Sequence, residues 1–469
     1  MPFFLILRRF KPPWPAAIVW SLGVFLVSLN ILIWRIDSPC HIYFDELRYI
    51  PAAKSMIGSG INENWSHPPF AKALIGLGLL VFGDQPLGWR IMSVLFGASS
   101  MVILFRWTSA LFKSRAAAFA TLILLMTNHL HFAQSRIAML DVFMMTFMLG
   151  GLACFWRSVI ATDDHSEAKT PASLSKNEPP VERGASRNRL LGTAGVCFGL
   201  SASCKWFGFV ASAFCFVWFI TATRKTPLLK RALTGASWFG LLPTIVYLFA
   251  SLIILNLTKP VYETRRLVAP TQQAAQTPAP TMKTYSLPEI IQIQPRMLEA
   301  QLGFSNARQP YQSNWLSWPL ALHPVWYDFH DASGSAGDEI NTIFLTMNPA
   351  FAILSVIALA ACLYLIVRRR ADRDLIFLLS CYLVLWIPWA FVGRTKFLYY
   401  YYPASIILSI ILVKTARTLR LPQWLATACL VIVTGVFLFY LPTLTYQTLD
   451  SDAFFRRLIL PSWRTPPRL

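Results

Sequence analysis

The chain has 469 residues, 55% of them apolar and only 14% charged, with 34 Phe and 17 Trp, which is too oily for a soluble domain and reads as a polytopic membrane protein. The net charge of +20 does not point to nucleic acid, because the basic residues fall in short clusters between apolar runs, as topology signals do. The eight cysteines lie nearly all inside apolar runs and form no Cys-x-x-Cys spacing, so neither a disulfide framework nor a zinc site is indicated.

Arg8, Arg9 and Lys11 precede an apolar run at 16–34 that lacks a small-residue cleavage site. It reads as a retained first span rather than a signal peptide. Further runs long enough, or nearly long enough, to span lie at 90–107, 116–132, 137–156, 190–204, 207–223, 232–255, 346–367, 374–392, 397–413 and 423–441. The expectation is an all-α polytopic membrane protein with about 11 transmembrane helices over 1–441, followed by a tail at 442–469. The basic clusters at Lys113/Arg115, Arg183/Arg187/Arg189, Arg224/Lys225 with Lys230/Arg231, Arg368 to Arg373, and Lys414/Arg417/Arg420 then all fall on the side of the N-terminus, which the positive-inside rule makes cytoplasmic.

Three non-membrane segments remain: a first outer loop at 35–89, a cytoplasmic linker at 157–189 and a long outer loop at 256–345. The linker is a flexible connector by its Ser, Glu, Lys, Pro and Asn content. In the long loop, 267–282 is Ala/Pro/Gln/Thr-rich and reads as disordered, whereas 311–331 is aromatic. Residues 70–83 are too short to span and fit a helix lying at the outer interface.

On this topology Asp45, Glu46, His67, Lys72, Arg90, Arg136, Lys205 and Arg394 collect at the outer side, with Asp141 one helical turn below Arg136. Arg136 and Asp141 are five apart, so they form an intrahelical ion pair only off the ideal spacing. Lys205 ends a small-residue run, Gly199 to Cys204. It either snorkels or serves the site, since a lone cation outside opposes the charge rule. His67-Pro68-Pro69 is a rigid turn that displays an imidazole. The tyrosines at 399–402 read as an interfacial belt, and Trp315 and Trp318 as either a membrane-dipping edge or a sugar platform. A carboxylate pair opposed by several cations suits group transfer from a lipid-linked phosphate. The carboxylate takes the acceptor's proton as general base, and Arg and Lys hold the phosphate as its charge grows.

Phe44-Asp45-Glu46, Tyr49-Ile50-Pro51-Ala52-Ala53, His67-Pro68-Pro69-Phe70-Ala71-Lys72, Phe82-Gly83-Asp84, Gly88-Trp89-Arg90, Gln134 to Asp141, Lys205-Trp206 and Ser317-Trp318-Pro319, in this order and spacing, resemble the bacterial protein O-mannosyltransferases. The likeness runs from about residue 37 to 405. It implies a GT-C glycosyltransferase fold and a polyprenyl-phosphate-mannose donor. It also implies inverting transfer to Ser or Thr hydroxyls of proteins translocated across the bacterial inner membrane, at the translocon. Nothing in the sequence suggests a required cofactor or metal, although Asp45, Glu46 and Asp141 are carboxylates able in principle to bind a divalent ion. On the family pattern Asp45 is the base and Glu46 its neighbour in acceptor or donor positioning; Arg136 and Arg394 are assigned as phosphate partners by extrapolation, and His67 and Lys205 carry over without an assigned role. Two departures stand out: the long outer loop is too short for the β-trefoil insert of eukaryotic members, and Arg48 places a cation beside the carboxylates. Two alternatives remain. A related GT-C enzyme would glycosylate an envelope lipid or glycan, and a transporter would couple through Asp141 and Lys205, although transport predicts inverted repeats that this chain lacks.

Overall fold

The computed structural model describes residues 16–58, 62–160, 180–257, 285–303, 311–331 and 339–464. The 267–282 stretch, most of the 157–189 linker and the N-terminal basic cluster lie outside them. In chain order the helices are α1 (Ala16–Ile33), α2 (Glu46–Gly58), α3 (Phe70–Phe82), α4 (Pro86–Phe112), α5 (Arg115–Met126), α6 (His129–Gln134), α7 (Asp141–Val159), α8 (Pro180–Cys204), α9 (Gly208–Ala222) and α10 (Leu228–Leu257). They continue with α11 (Leu287–Gly303), α12 (Pro349–Val367), α13 (Arg373–Trp386), α14 (Tyr402–Thr418), α15 (Gln423–Leu444) and α16 (Ser451–Phe455).

Among the described residues, eight helices are long and apolar enough to cross a membrane. The other three expected spans are helical as α5, α8 and α9. The run expected at 116–132 is broken, because Asn128 Oδ1 accepts from Leu130 N and starts α6 as a separate turn. Elsewhere the chain supplies ordinary start signals. Ser114 caps α5 and Asp372 caps α13, while Asn348 caps α12 with Pro349 in its first turn.

Small residues bring the helices close, as membrane packing requires. A Cβ on Gly195 of α8 would stand 2.4 Å from the Trp238 carbonyl oxygen of α10, and one on Gly199 would stand 2.8 Å from that of Pro243. A Cβ on Gly97 of α4 would meet Ser135 Cβ at 2.5 Å, so that glycine lets the 135–140 loop settle against α4.

The two ends of the bundle differ. At one, Trp156 Nε1 donates to Asp374, Lys414 pairs with Asp372 and Asp374, and Arg417 reaches the Phe112 carbonyl. Lys113, Arg115, Arg224, Lys225 and the arginines from 368 gather there too, by their places at helix ends. At the other end lie the C-termini of α1, α8 and α13 and the N-termini of α4, α7 and α14, with the polar residues singled out above.

That second end carries a small sheet which the sequence reading did not expect. Strand β1 (Val325–Asp331) pairs antiparallel with β2 (Glu339–Leu345), with a bulge between Trp326 and Asp328, and β3 (Leu449–Asp450) pairs with the start of β2. Phe344, Phe454 and Trp463 pack around Trp326, and Trp463 Nε1 donates to the Ala321 carbonyl at 3.0 Å. The tail after α15 is thereby packed onto the long loop.

Gly195→Leu should force α8 from α10 at a cost of about 1–3 kcal/mol, the range for overpacking a filled core. Thermal unfolding of the detergent-purified protein checks this. An unchanged midpoint would show that the contact is not tight.

Candidate active site

The site is built on the turn from α1 into α2. Phe44 adopts φ 49°, a left-handed conformation unusual for an aromatic residue and one that persists only when its surroundings enforce it. Its ring stacks on Tyr327, the bulged residue of β1, at 4.2 Å and lies edge-on to Tyr399 at 5.7 Å. Asp45 follows, its carbonyl accepting from Arg48 N and Tyr49 N as α2 begins.

The Asp45 carboxylate has long contacts, Tyr399 OH at 3.5 Å and Arg48 Nε at 4.0 Å. Burial and the nearby Asp141 raise its pKa above the ordinary 3.8, against the lowering effect of Arg48 and Lys205. A poorly solvated carboxylate with long hydrogen bonds is a better proton acceptor than an exposed one.

Glu46 differs from the expectation of a second catalytic carboxylate. It is fully buried, and Arg90 binds it in fork geometry, Nε to Oε1 at 2.9 Å and Nη2 to Oε2 at 3.0 Å. Ala138 N adds a third bond. The remaining Arg90 donors go to the carbonyls of Ile36, Pro39 and His41. Neither side chain has capacity left for a substrate; both are framework.

Two more expected ligands are framework as well. Arg136 makes no pair with Asp141. It donates to the carbonyls of Leu32, Trp34 and Arg35, closing the C-terminus of α1, and burial lowers its pKa to about 10. Lys72 is buried and donates to the Asn64 and His67 carbonyls, holding the loop before α3. Trp318 is no platform: it is fully buried, bonded to Ser313 Oγ and packed against Trp389 and Tyr401. Trp315 packs on Trp386 at 5.1 Å.

The residues that do converge are Asp45, His67, Asp141, Lys205 and Arg394. Lys205 at the end of α8 pairs with Asp141 at the start of α7, Nζ to Oδ1 at 2.9 Å, and lies 5.3 Å from the Tyr400 ring centre. This replaces snorkelling as the account of Lys205. Arg394 donates from Nη2 to Tyr400 OH at 2.8 Å and from Nη1 to Gln301 Oε1 at 2.7 Å. Asp141 Oδ2 and Arg394 Nε are buried without a hydrogen-bond partner among the described residues, which leaves capacity for a ligand.

His67 is half-buried, edge-on to Tyr49 at 6.0 Å. Burial, then Lys205, Lys72, Arg394 and Arg48, hold its pKa well below the ordinary 6.5. Tyr399 to Tyr402 are all buried rather than a lipid-facing belt: Tyr399 and Tyr400 reach Asp45 and Arg394, whereas the hydroxyls of Tyr401 and Tyr402 meet Tyr382 and His131. Sequence reasoning missed Gln301, Tyr399 and Tyr400 as site residues. The unbroken tyrosine run beside Arg394 was the available signal.

Among the described residues no group of three or more His, Cys, Asp and Glu comes together. An apolar cleft of about 870 Å³ between α1, α5 and α15 shares no lining residue with this cluster.

The bundle of membrane-length helices, with a carboxylate and cations at one end, has the GT-C glycosyltransferase fold, as its likeness to solved structures shows. The fold is similar to the S. cerevisiae protein O-mannosyltransferase Pmt1–Pmt2 complex bound to the sugar donor, with TM-score 0.74, 12% identity and coverage of 96% of this chain and 93% of that one. ArnT from Cupriavidus metallidurans bound to undecaprenyl phosphate is similar with TM-score 0.56, 14% identity and coverage of 96% and 74%. Residues 66–167 match the family described as dolichyl-phosphate-mannose-protein mannosyltransferase, and residues 286–463 the C-terminal four-transmembrane region of protein-O-mannosyltransferase. The polyprenol-phosphate-mannose–protein mannosyltransferase of Mycolicibacterium smegmatis is 27% identical over 90% of this chain and 87% of its own length. That of Corynebacterium glutamicum is 26% identical over 90% and 88%. The chain belongs to the protein O-mannosyltransferase family.

Arg90→Met would leave Glu46 buried and unpaired, a loss of about 3–5 kcal/mol. A drop in the thermal midpoint, with protein falling out of the monodisperse fraction, is the expected result. A variant as stable as wild type would deny the pair its framework role.

Proposed function

We propose that this protein transfers mannose from a polyprenyl-phosphate-mannose donor to Ser or Thr hydroxyls of proteins, with inversion at the sugar carbon. The observation that carries the reading is the placement of Asp45, with a raised pKa and only long contacts, near Lys205, while Lys205 and Arg394 both lie near His67. Asp45 accepts the hydroxyl proton as the oxygen attacks the sugar carbon from the face opposite the leaving phosphate. Lys205 and Arg394 bind the phosphate and stabilise the charge it gains as the glycosidic bond breaks, in a poorly hydrated site where such contacts are strongest. Asp141 holds Lys205 in place and limits its freedom to follow solvent.

The basic end of the bundle belongs in the cytoplasm by the positive-inside rule, which puts the site at the outer face of the plasma membrane. There, donor enters laterally from the bilayer and acceptor protein arrives as it emerges from the translocon. The two cations supply the charge that a divalent metal would otherwise bring, so the reading needs no metal or cofactor.

Asp45→Asn should lower turnover by roughly 10²–10⁴-fold, the usual worth of a general base, with donor binding retained. The assay is transfer of radiolabelled mannose from polyprenyl-phosphate-mannose to a Ser/Thr-rich peptide by purified protein in liposomes. Turnover surviving in this variant would remove Asp45 as base. Label entering a lipid or glycan fraction instead of peptide would move the acceptor assignment.

The base must be deprotonated to act. Because its pKa is raised, kcat/KM should fall on acidification at a pH above the range of an ordinary carboxylate, and flatten toward neutral pH. A flat profile down to pH 4 would contradict this. Arg394→Ala should raise the donor KM more than it lowers kcat, and chelation of divalent cations should leave turnover unchanged. Loss of activity with chelator, restored by added metal, would require a cation in the site.

A further inference from the structure

Gln301, near the end of α11, joins three segments that are remote in the chain. Its Nε2 donates to the Ser66 carbonyl at 2.8 Å and lies 3.2 Å from His67 Nε2. Its Oε1 accepts from Arg394 Nη1 at 2.7 Å. The two ends of this amide cannot be exchanged. A carbonyl only accepts and a guanidinium only donates, so a flipped amide would set oxygen against the Ser66 oxygen and N–H against the Arg394 N–H.

The fixed amide determines the histidine. With an N–H of Gln301 facing it, His67 Nε2 must accept, so the imidazole is neutral and carries its proton on Nδ1. The cations around His67 agree with that state, since each opposes a further positive charge there. A protonated His67 would present a second donor to the amide and turn it, taking the oxygen away from Arg394.

The guanidinium is held from both sides. Nη1 is fixed by Gln301 and Nη2 by Tyr400, whose ring stacks on Trp389 at 4.6 Å. An arginine restrained in this way has little rotamer freedom left to lose when an anion binds. Nε is buried and has no protein partner among the described residues.

We propose that Gln301 is a positioning residue for the donor phosphate: its amide, oriented by neutral His67 and the Ser66 carbonyl, sets the Arg394 guanidinium in its binding pose. This rests on the phosphate role given to Arg394 above, and adds that α11 and the 62–69 loop form one unit with the donor site. The residue enters neither the proton transfer nor the bond exchange. Its effect is on how tightly the phosphate is held.

The experiment measures donor KM and kcat for the full-length protein in liposomes, for Arg394→Ala, Gln301→Leu, Gln301→Glu and the double variant Gln301→Leu/Arg394→Ala. Gln301→Leu should raise the donor KM roughly tenfold or more, as for loss of a hydrogen bond to a charged group, with kcat within about threefold. The double variant should be no worse than Arg394→Ala, because the glutamine acts only through that arginine.

Gln301→Glu gives a readout that a structural role would not move. Its carboxylate accepts from Arg394 but meets an imidazole nitrogen that also accepts, until His67 takes up a proton and donates. Donor KM in this variant should therefore improve as pH falls, whereas wild type shows no such improvement. This variant also keeps the proposal testable should the leucine change impair folding.

An unchanged donor KM in folded Gln301→Leu, or losses that add in the double variant, would overturn the proposal while leaving Arg394 as phosphate ligand. If Arg394→Ala itself binds donor normally, the phosphate assignment fails and the proposal falls with it.

Discussion

The fork between Arg90 and Glu46 is the constraint on which the site depends. Both side chains are buried, and their charges are tolerable there only because the geometry is bidentate and the remaining donors and acceptors are filled by backbone. The arginine comes from the start of α4 and its acceptors from the stretch after α1, so one side chain fixes the chain path from 36 to 46. Asp45 sits one residue before the anchored glutamate, with Phe44 in a left-handed conformation on its other side. Its position is set by neighbours that cannot move, not by hydrogen bonds to its own carboxylate. That leaves the carboxylate chemically underused in the resting protein.

The same logic separates two kinds of cation. Arg90, Arg136 and Lys72 have their donors directed to carbonyls or to Glu46. Lys205 and Arg394 are held by side chains at the edges of their donor sets, one by Asp141 and the other by Gln301 and Tyr400. A guanidinium filled by backbone is part of the scaffold. One held at its rim still has N–H to offer.

Much of this was legible in the sequence. Apolar runs near 20 residues have one physical solution in a bilayer, so the helices fell where hydropathy put them, and the segregation of basic clusters to one end followed. Asp45, Asp141, Lys205 and Arg394 were visible because ionised groups are rare in such a chain. The roles of Arg90, Arg136 and Lys72 were not, since most of their bonds go to backbone carbonyls, which leave no mark on residue type. The tyrosines at 399–402 misled because an aromatic run at a span end has the same composition whether it faces lipid or a cavity. The hairpin was hidden for a similar reason: Val325 to Asp331 reads as an aromatic patch until β2 is known to pair with it.

The sheet has a consequence for how the protein is made. Tyr327, on which Phe44 stacks, belongs to a strand whose partner β2 is joined by β3, and the loop before that strand is bonded to Trp463. Residues from 44 to 463 therefore meet in one assembly, although a ribosome delivers them in order. Asp45 is made early and waits through the insertion of every later helix before the last aromatic residue closes the cover. A nascent chain can be threaded into the bilayer and paired at Lys205 and Asp141, yet the full wall behind its carboxylate exists only once synthesis has passed Trp463. The cover over the site thus closes with residues 449–463, after the segments that carry Asp141, Lys205 and Arg394 have all been made.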